Sequence, residues 1–182
     1  MTGPLSDVTI LDLTSVISGP LATSILGDQG ARVIKVESPN GDSMRMAGAI
    51  NGGVSSLFSS INRNKESIAL DLRKPEAIEI INKIAARADI CIQNYRPGVV
   101  EKLGIGYDHL KKINPELIYA SISGVGAEGP YSRRRVYDPV IQAYAGFASA
   151  QTTNGEPGLI KMMICDKVTS LTMAQAITAA LY

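Results

Sequence analysis

The sequence has no tryptophan, one histidine and two cysteines. The lone histidine, His109, sits in a charged helical stretch, so a histidine-based zinc site is not expected. Cys91 and Cys165 lie far apart in apolar stretches without metal-ligand spacing, and read as core thiols rather than a disulfide. Neither sign of charge dominates: 18 basic residues face 17 acidic ones, for a net charge of +1. That balance argues against a nucleic-acid-binding face, which is strongly basic. No apolar run reaches the ~18 residues that suggest a membrane span. The opening from Met1 to Asp7 lacks a basic region followed by an apolar one, so no secretory signal is expected and the default is a soluble cytoplasmic protein. What the chain has in quantity is apolar residues, 45% of 182, enough for one domain with its own core.

The order of patterns along the chain predicts an α/β fold. Val8 to Leu13 is a short β-branched run, read as a buried strand. Ser15 to Gly19 form a turn, Pro20 suits the first position of a helix, and Gly30 stops that helix. Arg32 to Glu37 return as a second strand, completing a β-α-β unit with a parallel pair. Ser38 to Asn64 read as loop with a short helix near Ser56 to Ile61. Further strands are expected at Ser67–Asp71, Asp89–Gln93 and Leu117–Ser123, with helices at Lys74–Arg87, Val99–Leu103 and Tyr107–Ile113. Helices are also expected at Asp138–Phe147 and Lys167–Tyr182. Such alternation implies an open, mostly parallel sheet with flanking helices, and a ligand crevice beyond the C-terminal strand ends. The last helix reaches Tyr182 without a capping residue, which suggests that the natural chain continues.

Several local patterns carry chemistry. Gly124, Gly126 and Gly129 fit G-x-G-x-x-G, but Pro130, Tyr131 and three arginines follow where a dinucleotide site needs a helix. The first β-α turn lacks the fingerprint as well, so neither a nicotinamide nor a flavin is expected. Arg133, Arg134 and Arg135 are either a solvated run or an anchor for an anionic ligand. Asp166 precedes the last helix and suits an N-cap. The helix dipole there is expected to keep the carboxylate ionised, and an ionised, partly desolvated carboxylate can act as a nucleophile. Asp12, Asp28, Asp71 and Asp89 read as turn or cap residues.

Longer blocks go beyond these motifs. They are Pro4-Leu5 leading to Ile10–Leu13 and Ser18-Gly19-Pro20, then Leu26 to Glu37 (LGDQGARVIKVE) with Gly41, Asp42 and Arg45. Asn62 to Leu72 (NRNKESIALDL), Gln93 to Gly98 (QNYRPG) with Leu103-Gly104, and Asn114 to Gly124 (NPELIYASISG) complete the series. In this order they resemble the N-terminal half of the family III coenzyme A transferases, the CaiB/BaiF type that includes formyl-CoA transferase, carnitine-CoA transferase and α-methylacyl-CoA racemase. The resemblance implies a Rossmann-like large domain, a smaller domain, and homodimers that interlock like chain links. Residues 1–182 would be the N-terminal part of the large domain, without the small domain, the later glycine-rich loop or the C-terminal return segment.

The same resemblance implies roles for residues. Asp166 aligns with the catalytic aspartate. Ser15, Val16, Ile17, Ser18, Lys65, Asn94, Tyr95, Lys102, Arg135 and Tyr137 align with positions expected to bind coenzyme A. Adenine contacts at the Ser15 turn are expected mainly through backbone. The implied substrates are an acyl-CoA and a carboxylate acceptor, with no metal. The implied reaction moves CoA between carboxylates through aspartyl anhydride and thioester intermediates. Racemisation of an acyl-CoA is the second reading, disfavoured because Tyr137 stands where racemases carry a histidine. An inactive, truncated CoA-binding fragment is the third.

Overall fold

The computed structural model describes residues 3–182. β1 (Thr9–Asp12) leads through a tight turn into α1 (Ser18–Asp28) and back along β2 (Arg32–Glu37). A 3-10 turn at Ser43–Met46 follows, then a two-stranded antiparallel pair, β3 (Ile50–Asn51) and β4 (Val54–Ser55). α2 (Ser56–Ile61) begins at Ser55, whose hydroxyl accepts from the Phe58 N–H at 3.1 Å. The chain then alternates through β5 (Lys65–Ala69), α3 (Pro75–Ala85), β6 (Ile90–Gln93), α4 (Val99–Lys102), α5 (Tyr107–Ile113) and β7 (Ile118–Ser121). Three helices close it: α6 (Asp138–Tyr144), α7 (Phe147–Ala150) and α8 (Ile164–Leu181).

The main sheet has the order β5-β2-β1-β6-β7, and every pairing in it is parallel. β1 is the central strand. A parallel central strand is covered on both faces, so it reads as a continuous apolar run. Ile10 and Leu11 are both fully buried and belong to separate clusters. Ile10 packs with Ala22 and Leu26 of α1 and with Ala174 and Ile177 of α8. Leu11 packs with Ile81 and Ala85 of α3, Val100 of α4 and Leu110 of α5. The sheet is thus the middle layer of three.

After β5 the chain crosses to the other side of β1, which makes the β1/β6 boundary the topological switch point. Loops leaving neighbouring strands there diverge and open a crevice. The turn after β1 and the segment after β6 flank that boundary.

Most elements are offset by a residue or two from the sequence expectation, and the expected loop of 38–64 also holds β3 and β4; three offsets have a clear cause. The third strand starts at Lys65, two residues early, because Val33–Glu37 of β2 pairs with Lys65–Ala69 in register. The helix expected over 138–147 stops at Tyr144, where Gly146 takes φ +83° and starts a separate turn. The last helix begins at Ile164, so Asp166 lies in its first turn; the N-cap is Met163, with no side-chain cap bond. α8 lies along α1, and the Ser170 hydroxyl donates to Ser18 O at 2.7 Å. No helix among the described residues is long and apolar enough to cross a membrane.

Two stability predictions follow from this framework. Ile10→Ala opens a cavity under the central strand and should cost about 2–5 kcal/mol in urea unfolding. Glu37 at the end of β2 accepts two 2.7 Å bonds from Arg45, one from the Ser67 hydroxyl and one from the Asp42 N–H. Burial alone would raise its pKa, but these donors outweigh burial and bring it from 4.5 to about 2. The unfolded carboxyl therefore binds a proton first. The stability Glu37 contributes is complete above pH 4.5 and is lost as pH falls towards 2. Arg45→Met should destabilise the protein at neutral pH, with the deficit shrinking below pH 4.5 in acid-dependent melts.

Candidate active site

A cavity of about 380 Å³ lies beyond the strand tips at the β1/β6 boundary. Its walls come from the turn after β1, the segment after β6, residues 122–125 after β7, residues 132–138, and the first turns of α8. Ser15, Val16, Ser18, Asn94, Tyr95, Arg135, Tyr137 and Asp166 all line it. Of the residues singled out by the sequence, Ile17, Lys65 and Lys102 do not. Ile17 is 4% exposed and turned into the protein. Lys102 is exposed in the last turn of α4, outside the cavity.

Lys65 is held beneath the turn. Its ammonium donates to Asp12 Oδ2 at 3.0 Å, Pro20 O at 2.9 Å and Asn62 Oδ1 at 2.9 Å. The Lys65 and Asp12 side chains are 2% and 0% exposed. Burial pulls the Lys65 pKa down to about 8, although the Asp12 carboxylate beside it acts in the opposite direction. With three acceptors committed, Lys65 shapes the turn from below and presents no donor to the cavity. Asp12 does act as the turn residue read from the sequence: its Oδ1 accepts from the Thr14 N–H, two residues on, at 2.9 Å. The ion pair with Lys65 and a 2.7 Å bond from the Thr23 hydroxyl were not legible in that reading.

The turn itself departs from ordinary geometry. Val16 has φ +70°. A β-branched residue there is a genuine outlier, costing on the order of 1–3 kcal/mol unless its surroundings impose the conformation. Asn94 supplies part of that framework. Its Oδ1 accepts from the Ser15 N–H at 2.9 Å, and its Nδ2 donates to Ser15 O at 2.7 Å. Asn94 therefore holds the turn with both ends of its amide, and the Ser15 N–H expected to meet a ligand already has a partner. Gly19 is required for close approach: a Cβ there would lie 2.3 Å from the Thr14 side chain.

Asp166 projects from the first turn of α8 and is half-buried at the cavity wall. The dipole argument made from sequence predicts an unstrained, ionised carboxylate. The surroundings oppose that: burial, and then the nearby carboxylate of Asp138, push its pKa above the ordinary 3.8, against a lowering hydrogen bond from the Ser18 side chain. Asp138 is the residue that sequence reasoning passed over. It is 6% exposed at the start of α6. Its Oδ2 accepts from the Asp166 N–H at 3.0 Å, and its Oδ1 accepts from Gln142 Nε2 at 2.6 Å. It ties α6 to the first turn of α8. The available signal was Asp138-Pro139, an acidic residue and a proline opening a helix.

The glycine motif has a packing role. A Cβ on Gly124 would sit 1.8 Å from Val136 Cγ2, so glycine is what lets residues 132–137 close onto the tip of β7. Among the three arginines, Arg134 lies over the Tyr131 ring at 4.5 Å and donates to the Tyr144 hydroxyl at 3.2 Å. Arg135 is exposed at the cavity rim, and among the described residues no carboxylate forms an ion pair with it.

Sequence and fold together match a known family. The chain belongs to CoA-transferase family III, whose model matches residues 5–182. It is 43% identical over 181 residues to the human succinyl-CoA:glutarate CoA-transferase, a match covering 98% of this chain and 41% of that protein. It is 40% identical over 182 residues to the formyl-CoA:oxalate CoA-transferase of Streptomyces coelicolor, covering 98% and 44%. Among solved structures, a CAIB/BAIF family protein from Brucella suis superposes with a TM-score of 0.93 at 38% identity, covering 100% of this chain and 50% of that one. The chain therefore spans about half the length of the relatives it matches, or somewhat less.

Removing the charge of Asp138 should relax Asp166. In Asp138→Asn the like-charge repulsion disappears, so the Asp166 pKa should fall towards its ordinary value, as read by carboxyl carbon NMR. Asp138 accepts from two donors, and the asparagine has one oxygen for them. The same variant should lose roughly 1–3 kcal/mol of stability.

Proposed function

We propose that this chain forms the coenzyme A-binding part of a family III CoA transferase, with Asp166 as the nucleophile. The observation that carries the reading is the placement of the Asp166 carboxylate: half-buried, on the cavity wall, beside the Ser18 side chain, with Ser15, Val16 and Tyr95 lining the same cavity. The relatives named as CoA-transferases support transfer of CoA between carboxylates.

The chemistry follows from a carboxylate meeting a thioester. Asp166 attacks the thioester carbonyl; the C–S bond breaks, CoA leaves as thiolate, and a mixed anhydride remains. The thiolate then attacks the aspartyl carbonyl. This releases the donor carboxylate and leaves an aspartyl-CoA thioester. The acceptor carboxylate attacks that thioester, forming a second anhydride, and the returning thiolate attacks its acyl carbonyl. The products are a new acyl-CoA and free Asp166. Every step exchanges one acyl bond for another, so no metal, nicotinamide or flavin enters. Partial desolvation strips the carboxylate of water that would otherwise blunt its attack. In the first turn of α8 the Ile164, Asp166 and Lys167 N–H groups already have acceptors in Met162 O, Asp138 and Met163 O, so the oxyanion needs donors other than these. Arg135 at the rim suits a phosphate of CoA, and Tyr95 offers a flat apolar surface.

Racemisation is the weaker alternative. It needs a second proton-transfer group, and Tyr137 occupies the position of the racemase histidine. That side chain is 70% exposed, and a phenol is a poorer proton-exchange group than an imidazole. A CoA-binding module without turnover is the reading for this segment in isolation. The family's interlocked homodimer would have apolar side chains to cover on the outer side of α8, where Val168 and Leu171 are exposed.

Incubating the whole protein with an acyl-CoA and then hydroxylamine should place a hydroxamate on the peptide carrying Asp166. A hydroxamate confined to a different carboxylate would overturn the assignment. Asp166→Ala should lower kcat by at least about 10³-fold. Rapid exchange of the α-proton of a 2-methylacyl-CoA in deuterated water would favour the racemase instead.

A further inference from the structure

The turn after β1 rests on a second buried ion pair, and that pair spans Val16. Lys35 Nζ donates to Thr14 O at 2.9 Å and to Asp42 Oδ2 at 3.0 Å. Both side chains are 1% exposed. Asp42 Oδ1 faces the opposite way, accepting from the Val16 N–H at 3.4 Å and the Met44 N–H at 3.0 Å. The ammonium thus holds the carbonyl that precedes the strained residue's neighbour, and the carboxylate faces the strained residue's own amide.

Burial alone gives no reason for such a pair. Desolvating two charges costs more than an apolar pair of equal volume, which is often as stable or more so. Lys35 sits inside a strand whose neighbours Ile34 and Val36 are apolar, the position where a charge is least expected. Val16, in turn, has no local preference for φ +70°, which glycine would adopt freely. The two anomalies lie within hydrogen-bond reach of each other, and each accounts for the other.

We infer that Lys35 and Asp42 are positioning residues: they hold Val16 in its left-handed conformation and so set the shape of the Ser15–Ser18 wall of the cavity. That this wall meets coenzyme A rests on the function proposed above; the clamp itself does not. Lys65 and Asp12 brace the same turn but touch Thr14 and Pro20 rather than Val16.

The test removes both charges together, so that neither is left buried alone. In the whole protein, Lys35→Met with Asp42→Leu should still fold, with a lowered urea-unfolding midpoint because Thr14 O and the Val16 and Met44 N–H groups lose their partners. Amide exchange at Val16 should accelerate about tenfold or more, since its N–H loses its acceptor. Coenzyme A affinity, by isothermal titration calorimetry, should fall about 10- to 100-fold, the scale at which a misplaced wall acts. Adding Val16→Gly should restore part of that affinity, because glycine takes the positive φ unaided. Unchanged exchange at Val16 in the folded double variant would sink the proposal. So would an affinity loss that Val16→Gly leaves untouched, for then the pair is only part of the core. If the double variant does not fold, the near-isosteric Asp42→Asn takes its place. Its one amide oxygen serves Lys35 or the Val16 N–H but not both, so exchange and affinity should move in the same directions, and constancy of both overturns the clamp. A wild-type protein that gives no heat with coenzyme A removes the ligand reading, while Val16 exchange still decides the clamp.

Discussion

The site depends on charges buried where water cannot help them. Two lysines and two aspartates, Lys35 with Asp42 and Lys65 with Asp12, lie almost wholly out of solvent beneath one five-residue turn. Isolated, each would be expelled or neutralised; paired, each must also find partners for its remaining donors or lone pairs. They find them in nearby backbone: Thr14 N and O and Val16 N in the turn, and Pro20 O in the first turn of α1. The requirement to satisfy buried charge becomes a requirement on the path of the chain. Where dinucleotide-binding folds use glycines at this turn so that backbone can approach a phosphate, this protein uses ion pairs to impose a backbone shape on valine.

The electrostatics of Asp166 follow a different rule. A carboxylate in the first turn of a helix is normally stabilised in its charged form. Here burial disfavours the charged form, and a second carboxylate, Asp138, fixed beside it by bonds to the Asp166 N–H and to Gln142, adds repulsion. The side chain is anchored through its backbone while its charge is disfavoured. That combination suits the nucleophile proposed for this position, whose charge would be lost on acylation and recovered on release.

Much of the fold was legible because apolar periodicity and turn residues agree in this chain. All five strands of the main sheet and α1, α3, α5 and the short α4 are where the sequence placed them, within two or three residues at each end. The Ser15 turn and Asn94 line a crevice past the strand ends, as the rule for open sheets requires, whereas Asp166, Arg135 and Tyr137 were legible as site residues only through the family resemblance. Long-range partnership was not legible. Lys65 resembles a ligand contact in sequence, and only the pairing of β5 with β2 brings it within reach of Asp12, 53 residues away. Asn94 clamps Ser15 across 79 positions, and Asp138 meets Asp166 across 28. No local pattern reports such distances. The start of α8 was missed for the same reason: Asp166 is a favoured cap, yet Met163 holds that place because Asp138 already satisfies the Asp166 N–H.

The contact between Gly124 and Val136 has a consequence for how the cavity could change. With a methyl group excluded at one strand tip, the segment carrying Arg135 and Tyr137 is seated directly against the sheet. Any larger residue at 124 would lift that whole segment at once instead of trimming one corner of the chamber. Changes in the shape of the cavity should therefore proceed through side chains displayed along 132–137, with Gly124 held constant beneath them.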